Sequence, residues 1–105
     1  MKYILTECVN RDLNLPVIFS TLKEAQYEMA ERIADNFKIH IENLLATNPT
    51  AEELFEKLEN MIQTEDVGVF SNYTGAWISQ ACGNTCDWHI FELDSDNACH
   101  YIVNI

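Results

Sequence analysis

Five residues in the last quarter of the chain have the types that ligate zinc or attack a carbonyl: Cys82, Cys86, His89, Cys99 and His100. Zinc prefers four Cys or His ligands in a tetrahedron, usually as pairs spaced by two to four residues. The run Cys82-Gly83-Asn84-Thr85-Cys86 fits that spacing, but Cys99-His100 is an adjacent pair. Neighbours in a strand point to opposite faces, so Cys99 and His100 cannot both serve one ion without a bulge. Disulfide oxidoreductases place two residues between their thiols at a helix start, where the dipole lowers the thiol pKa. Here three residues intervene in a Gly-Asn turn. A cysteine nucleophile with His89 or His100 needs an orienting group and an oxyanion site, and nothing marks either. No metal, no cofactor and no catalytic residue is expected; the protein reads as a non-enzyme.

Other motifs fall away as quickly. The three glycines, Gly68, Gly75 and Gly83, form no phosphate-binding loop. Asp94-Ser95-Asp96-Asn97 opens like a calcium loop but lacks the glycine and the terminal glutamate, so it reads as a turn. His40 lies near the apolar side of a helix and reads as a boundary residue.

The carboxylates are more informative. There are 17 Asp and Glu against 6 Lys and Arg, a formal charge of −11 on 105 residues. Glu24, Glu28, Glu31, Asp35 and Glu42 recur at helical steps, within about 60° of one another on one continuous helix. Glu52, Glu56 and Glu59 repeat the pattern on a second helix. Like charges one turn apart destabilise a helix by a few tenths of a kcal/mol per pair. Lys23, Arg32, Lys38 and Lys57 offset only part of this. A solvated outer face explains such rows adequately, and so does an anionic surface that imitates a nucleic-acid backbone. A field of this sign repels nucleic acid and anionic membrane and draws in basic surfaces. Tyr73 and Trp77 flank the Thr74-Gly75 turn, where aromatic rings make good interface anchors. The expected partner-binding residues are therefore the eight acids above, with Tyr73 and Trp77.

These residues are positioned by a legible series of elements. Residues 2–9 and 16–19 read as strands joined across Asn10-Arg11-Asp12. Thr21 and Glu24 have capping-box spacing and open a helix with Leu22, Met29, Ile33, Phe37 and Leu44 on its apolar side. That helix runs to about Thr47 or breaks near Lys38–Ile41. Asn48-Pro49 ends it. Thr50 and Glu53 form a second capping box, opening a helix to about Gln63 with Leu54, Phe55, Leu58, Met61 and Ile62 buried. Beyond Thr64 the period changes to strands near 67–70, 75–79, 87–93 and 100–105.

The expected fold is a single α+β domain over residues 1–105. It has an antiparallel sheet of four to five strands with two helical segments on one face, in the order ββ-αα-βββ. Trp88, Phe91, Tyr101 and Val103 are the expected layer beneath the helices. Aromatic content of 10% argues for a folded chain despite the charge. Glu7 interrupts the first apolar run, so no signal peptide is expected, and the cysteines are expected reduced in the cytoplasm.

In size, charge and the Glu24–Glu42 strip, the chain resembles the small acidic proteins that bacteriophages and mobile elements use against host nucleic-acid enzymes. Anti-CRISPR proteins and DNA mimics are among them. The resemblance implies an inhibitor that occupies the basic nucleic-acid site of a nuclease or related enzyme. Immunity proteins and antitoxins that neutralise basic toxins share the profile, and a small structural zinc module is the alternative from another class.

Overall fold

Asn10 and Arg11 both hold positive φ, 51° and 72°. That is the geometry of a two-residue hairpin turn whose twist matches its flanking strands. It joins β1 (Lys2–Val9) to β2 (Asp12–Leu13), with Val9 paired to Asp12. The computed structural model describes residues 1–79, 85–96 and 98–102. After β2 the chain takes one extra residue through Asn14-Leu15-Pro16 and re-pairs with β1 as β3 (Val17–Phe19). The register changes by one between Cys8↔Leu13 and Leu5↔Val17, which defines a bulge. Pro16 sits in it, where no ladder donor is needed.

Three helices follow: α1 (Leu22–Asn36), α2 (Glu42–Ala46) and α3 (Ala51–Ile62). Four strands follow among the described residues: β4 (Val67–Val69), β5 (Gly75–Ser79), β6 (Thr85–Leu93) and β7 (Cys99–Tyr101). Residues 103–105, expected to extend the last strand, lie outside the described residues. All pairings are antiparallel, and β6 is central. One side of β6 pairs with β1 from Lys2↔Leu93 to Val9↔Cys86. Its other side is shared end to end by β5 and β7. The expected α+β class and helical layer stand. Seven strands appear among the described residues because short strands line up in five columns, β2/β3–β1–β6–β5/β7–β4.

The first helix stops at Asn36 and does not run on to Glu42. Lys38 takes φ 56°. Its N–H donates to the Asp35 carbonyl, and the N–H of Ile39 donates to the Ala34 carbonyl, 3.0 Å away. This is the double hydrogen bond of a left-handed helix stop, made with Lys in the place usually held by Gly. Glu42 consequently begins α2 and is not the last member of a row on α1.

Cross-strand pairing assigns the faces. Leu5, Val67, Ala76, Ile78, Cys86, Trp88 and Ile90 lie under the helices, where they join Met29, Ile33, Leu54, Phe55 and Leu58 in one cluster. Phe91 and Tyr101 were expected in this layer and belong to the other face. They pair with each other, one residue out of phase with Ile90, and period-two geometry sends them away from the helices. Among the described residues no helix is long and apolar enough to cross a membrane.

Trp88 is fully buried, and its indole N–H needs an acceptor inside the layer. Glu7, its cross-strand partner, supplies one: Nε1 donates to Oε2 at 2.8 Å. Arg32 of α1 reaches the same oxygen at 3.1 Å and holds Glu28 at 3.0 Å, while Asn14 of the bulge donates to the other Glu7 oxygen at 2.5 Å. Burial pushes the Glu7 carboxyl up, but the donors from Trp88 and Asn14 and the Arg32 charge win, and it titrates below its ordinary value. Its stabilisation is therefore present above the unfolded carboxylate pKa, about 4.3, and fades as pH falls through the lower folded value. Glu7→Gln should lower unfolding free energy by about 1–3 kcal/mol at pH 7. In urea melts the gap to wild type should close progressively below the unfolded pKa. A gap that stays constant into acid would contradict this account.

Candidate functional site

On α1, Thr21 caps the helix by accepting the Glu24 N–H at 3.1 Å, and its hydroxyl donates to the Glu24 carboxylate at 2.9 Å. Glu24, Glu28, Glu31 and Asp35 then run down the side opposite Ala25, Met29, Ile33 and the other buried positions. Arg32, the cation within this ridge, is engaged by Glu28 and turned inward to Glu7. Lys23 donates to Asn48 and lies 5.6 Å from the centre of the Tyr27 ring. Among the described residues no Lys or Arg forms an ion pair with Glu24, Glu31, Asp35, Glu42, Glu52, Glu56 or Glu59.

The helix stop at Lys38 turns α2 so that Glu42 returns beside the ridge. Glu31, Asp35 and Glu42 border a notch of about 160 Å³ with Ile39 and Ile41 at its side. Partial burial raises the Glu31 carboxyl above its ordinary value, and the charges of Glu28, Asp35 and Glu42 raise it further. Four carboxylates thus converge, although one sits on a different helix from that expected. On α3 the full capping box forms, with Glu53 N–H to Thr50 Oγ1 at 3.2 Å and Thr50 N–H to Glu53 Oε1 at 3.4 Å. Glu52, Glu56 and Glu59 are exposed along that helix.

The two aromatic candidates go elsewhere. Tyr73 is half-buried, its ring parallel to Phe55 at 5.8 Å, and its carbonyl accepts from Gln26 at 3.1 Å. It pins the 70–75 turn to the helices. Trp77 is on the open side of the sheet, paired with Gly68, whose missing side chain leaves room for the indole. Phe70 lies likewise over Gly75. Trp77 and the acidic ridge therefore occupy opposite faces of a molecule only 21 Å thick along its shortest axis, and one flat partner cannot cover both.

Sequence reasoning missed the open face itself. Ile18, Ile4, Phe91 and Tyr101 form one row across β3, β1, β6 and β7. His89 sits between Phe70 and Phe91, with ring centres 5.4 and 6.0 Å away. The signal was available: β6 carries apolar residues at both parities, Trp88 and Ile90 on one and Phe91 and Leu93 on the other.

The metal candidates are dispersed. Cys86 is buried on the helix side, Cys99 is exposed on the open side, and Cys82 lies outside the described residues. His100 holds Asp94 at 2.8 Å, and Asp94 also accepts the N–H groups of Asp96 and Ala98, which makes this segment the expected turn. Among the described residues no three His, Cys, Asp or Glu gather around a metal-sized space. Burial raises the Cys86 thiol, and Glu7 and Asp87 add to the effect, so its thiolate is disfavoured. No protein-family model, curated protein or solved structure matches the chain.

Two outcomes follow. Folding raises the Glu31 pKa, so its ionisation opposes folding once pH rises through that value. Glu31→Gln should raise the melting temperature at pH 7, and the gain should vanish below the unfolded carboxylate pKa; a loss of stability at pH 7 would refute the crowding. In thiol alkylation followed by mass mapping, Cys99 should react well before Cys86. Equal rates would contradict the burial of Cys86.

Proposed function

We propose that this domain is a non-catalytic inhibitor that binds the basic, nucleic-acid-gripping surface of another protein through the α1–α2 acidic ridge. The observation that carries this reading is the convergence of Glu28, Glu31, Asp35 and Glu42, with the only local arginine turned inward. A surface shaped for stability alone would intersperse cations here, because crowded like charges oppose folding. Carboxylates one turn apart lie about 6 Å apart along the axis, a spacing suited to Lys and Arg side chains that otherwise grip phosphates. A nuclease or other nucleic-acid enzyme, as for the phage inhibitors it resembles, presents such side chains. A basic toxin neutralised by an immunity protein presents the same chemistry, so the two versions differ in the partner and not in the surface.

The structure refines how this is tested. Glu28 is tied to Arg32 and through it to Glu7, so reversing Glu28 would disturb the core. Glu24, Glu31, Asp35 and Glu42 can be reversed to Lys with little loss of helix propensity. Against a panel of basic nucleic-acid enzymes, this variant should associate at least about 10-fold more slowly than wild type at low salt. The difference should shrink as salt rises and the Debye length falls below about 8 Å. Reversal of Glu52, Glu56 and Glu59 reports whether α3 shares the surface. Unchanged binding and unchanged salt dependence in both variants, with native circular dichroism, would reduce the ridge to a solvated face.

A further inference from the structure

Among the described residues, no element lies over the face of the sheet opposite the helices. Tyr101 is 76% exposed, Ile18 53%, Phe70 39% and Trp77 38%. Monomeric proteins rarely leave contiguous apolar patches larger than a few hundred Å². Four strand columns of about eight residues and the three-residue β4, at about 3.3 Å per residue and about 4.8 Å between columns, give this face roughly 550 Å² in projection, polar positions included. That approaches the roughly 800 Å² per partner of a stable interface.

Charge says what fits it. The chain carries −11, yet the strand residues of this face include one acid, Asp87, and one base, Lys2. Nine acids lie instead on α1, α2 and α3. A basic partner has no electrostatic reason to choose the open face. A second copy does: two open faces in contact bury neutral surface on both sides and leave both acidic ridges pointing outward, as far apart as the fold permits.

We infer that the open face is the interface of a symmetric homodimer, sheet against sheet with the helices outside. In closed two-fold dimers the same patch meets itself. A two-fold axis parallel to the strands, between β1 and β6, sets each Ile4 over the other copy's Phe91 and each Ile18 over the other copy's Tyr101. The strands then pack in the aligned manner of a sandwich, with sheets about 10 Å apart. The hollow of about 420 Å³ bordered by Phe70, His89, Phe91 and Tyr101 gives the face the relief to interdigitate with its copy. This inference stands apart from the acidic-ridge reading, since no residue of the ridge takes part.

Sedimentation velocity on the full chain, from about 1 to 100 µM, tests it. The wild type should form a species of twice 12.1 kDa. Added salt should tighten the dimer by screening like net charge, the opposite of its effect on a basic partner. The double variants I18K/Y101K and I18E/Y101E should each raise the dimer Kd at least about 100-fold, because like charges meet across the axis in a desolvated interface. Mixed one to one, they should recover a dimer through the opposite charges. Both positions are exposed, and circular dichroism and melting curves verify that each variant is folded. A wild type that stays monomeric throughout would overturn the proposal. So would an I18K/Y101K variant that dimerises like wild type, the result expected if β3 or β4 paired edge to edge, or folded variants that remain apart on mixing.

Discussion

The hydrogen bond from the Trp88 indole to Glu7 is the interaction on which the rest of the structure depends. It lies across the central strand pair, between residues 81 positions apart in the chain. Trp88 supplies the largest buried side chain of the core and brings one polar atom with it. Glu7 satisfies that atom, but a carboxylate at 15% exposure then needs its own donors. Arg32 and Asn14 provide them, and each belongs to a different element. The acceptor of a single buried N–H is thus tied to α1 through Arg32 and to the β2–β3 connection through Asn14. Removing Glu7 would leave the buried Trp88 N–H without its acceptor, which is costlier than the pairing is favourable.

The same network explains the polarity of the surface. Arg32 is the cation that would otherwise neutralise the α1 ridge, and it is drawn inward by Glu7. Glu28 follows it and is only partly exposed. Among the described residues no Lys or Arg pairs with Glu24, Glu31, Asp35 or Glu42, so core satisfaction and surface charge are two results of one arrangement. On the other side of the sheet, Gly68 and Gly75 are covered by the rings of Trp77 and Phe70. Aromatic rings laid over sheet glycines stiffen β4 and β5, and they also place large apolar groups on a face that no helix of the described residues covers.

Much of this was legible in the residues. The Thr50–Glu53 capping box, the Pro49 stop and the change of period after Thr64 located α3 and the strands that follow. The stop of α1 was legible only as one of two alternatives, a break near Lys38–Ile41 or a run to Thr47, because the left-handed position is held by Lys38 and not by Gly, and apolar residues continue in helical phase beyond it. Glu42 was assigned to the wrong helix for that reason. The assignment of faces failed differently. Alternation identifies a buried side only when the other side is polar, and β6 is apolar on both. Phe91 and Tyr101 look like core residues until β1 and β7 set their register. Of the site residues, the acids were placed correctly on the outside, whereas Tyr73 and Trp77, four residues apart, part company. One is pinned to Phe55 beneath the helices and the other rests on the open face.

Separation of the two faces has a consequence for association. A chain with this net charge that buried its acids in a self-interface would meet repulsion as soon as two copies approached. Placing nine of the 17 acids on the helices, and none but Asp87 among the strand residues of the open face, lessens the short-range part of that repulsion. What remains is long-range and screened beyond about 8 Å at physiological salt. Two ridges directed outward from a paired sheet would then act as a bivalent anion. Against a partner with two basic surfaces, the second contact becomes intramolecular, and avidity can exceed either single affinity by about 10²–10⁴ where the geometry permits both. Weak, salt-sensitive contacts of the kind that exposed carboxylates make gain most from such an arrangement, since a ridge alone would hold a basic partner only through screened charge.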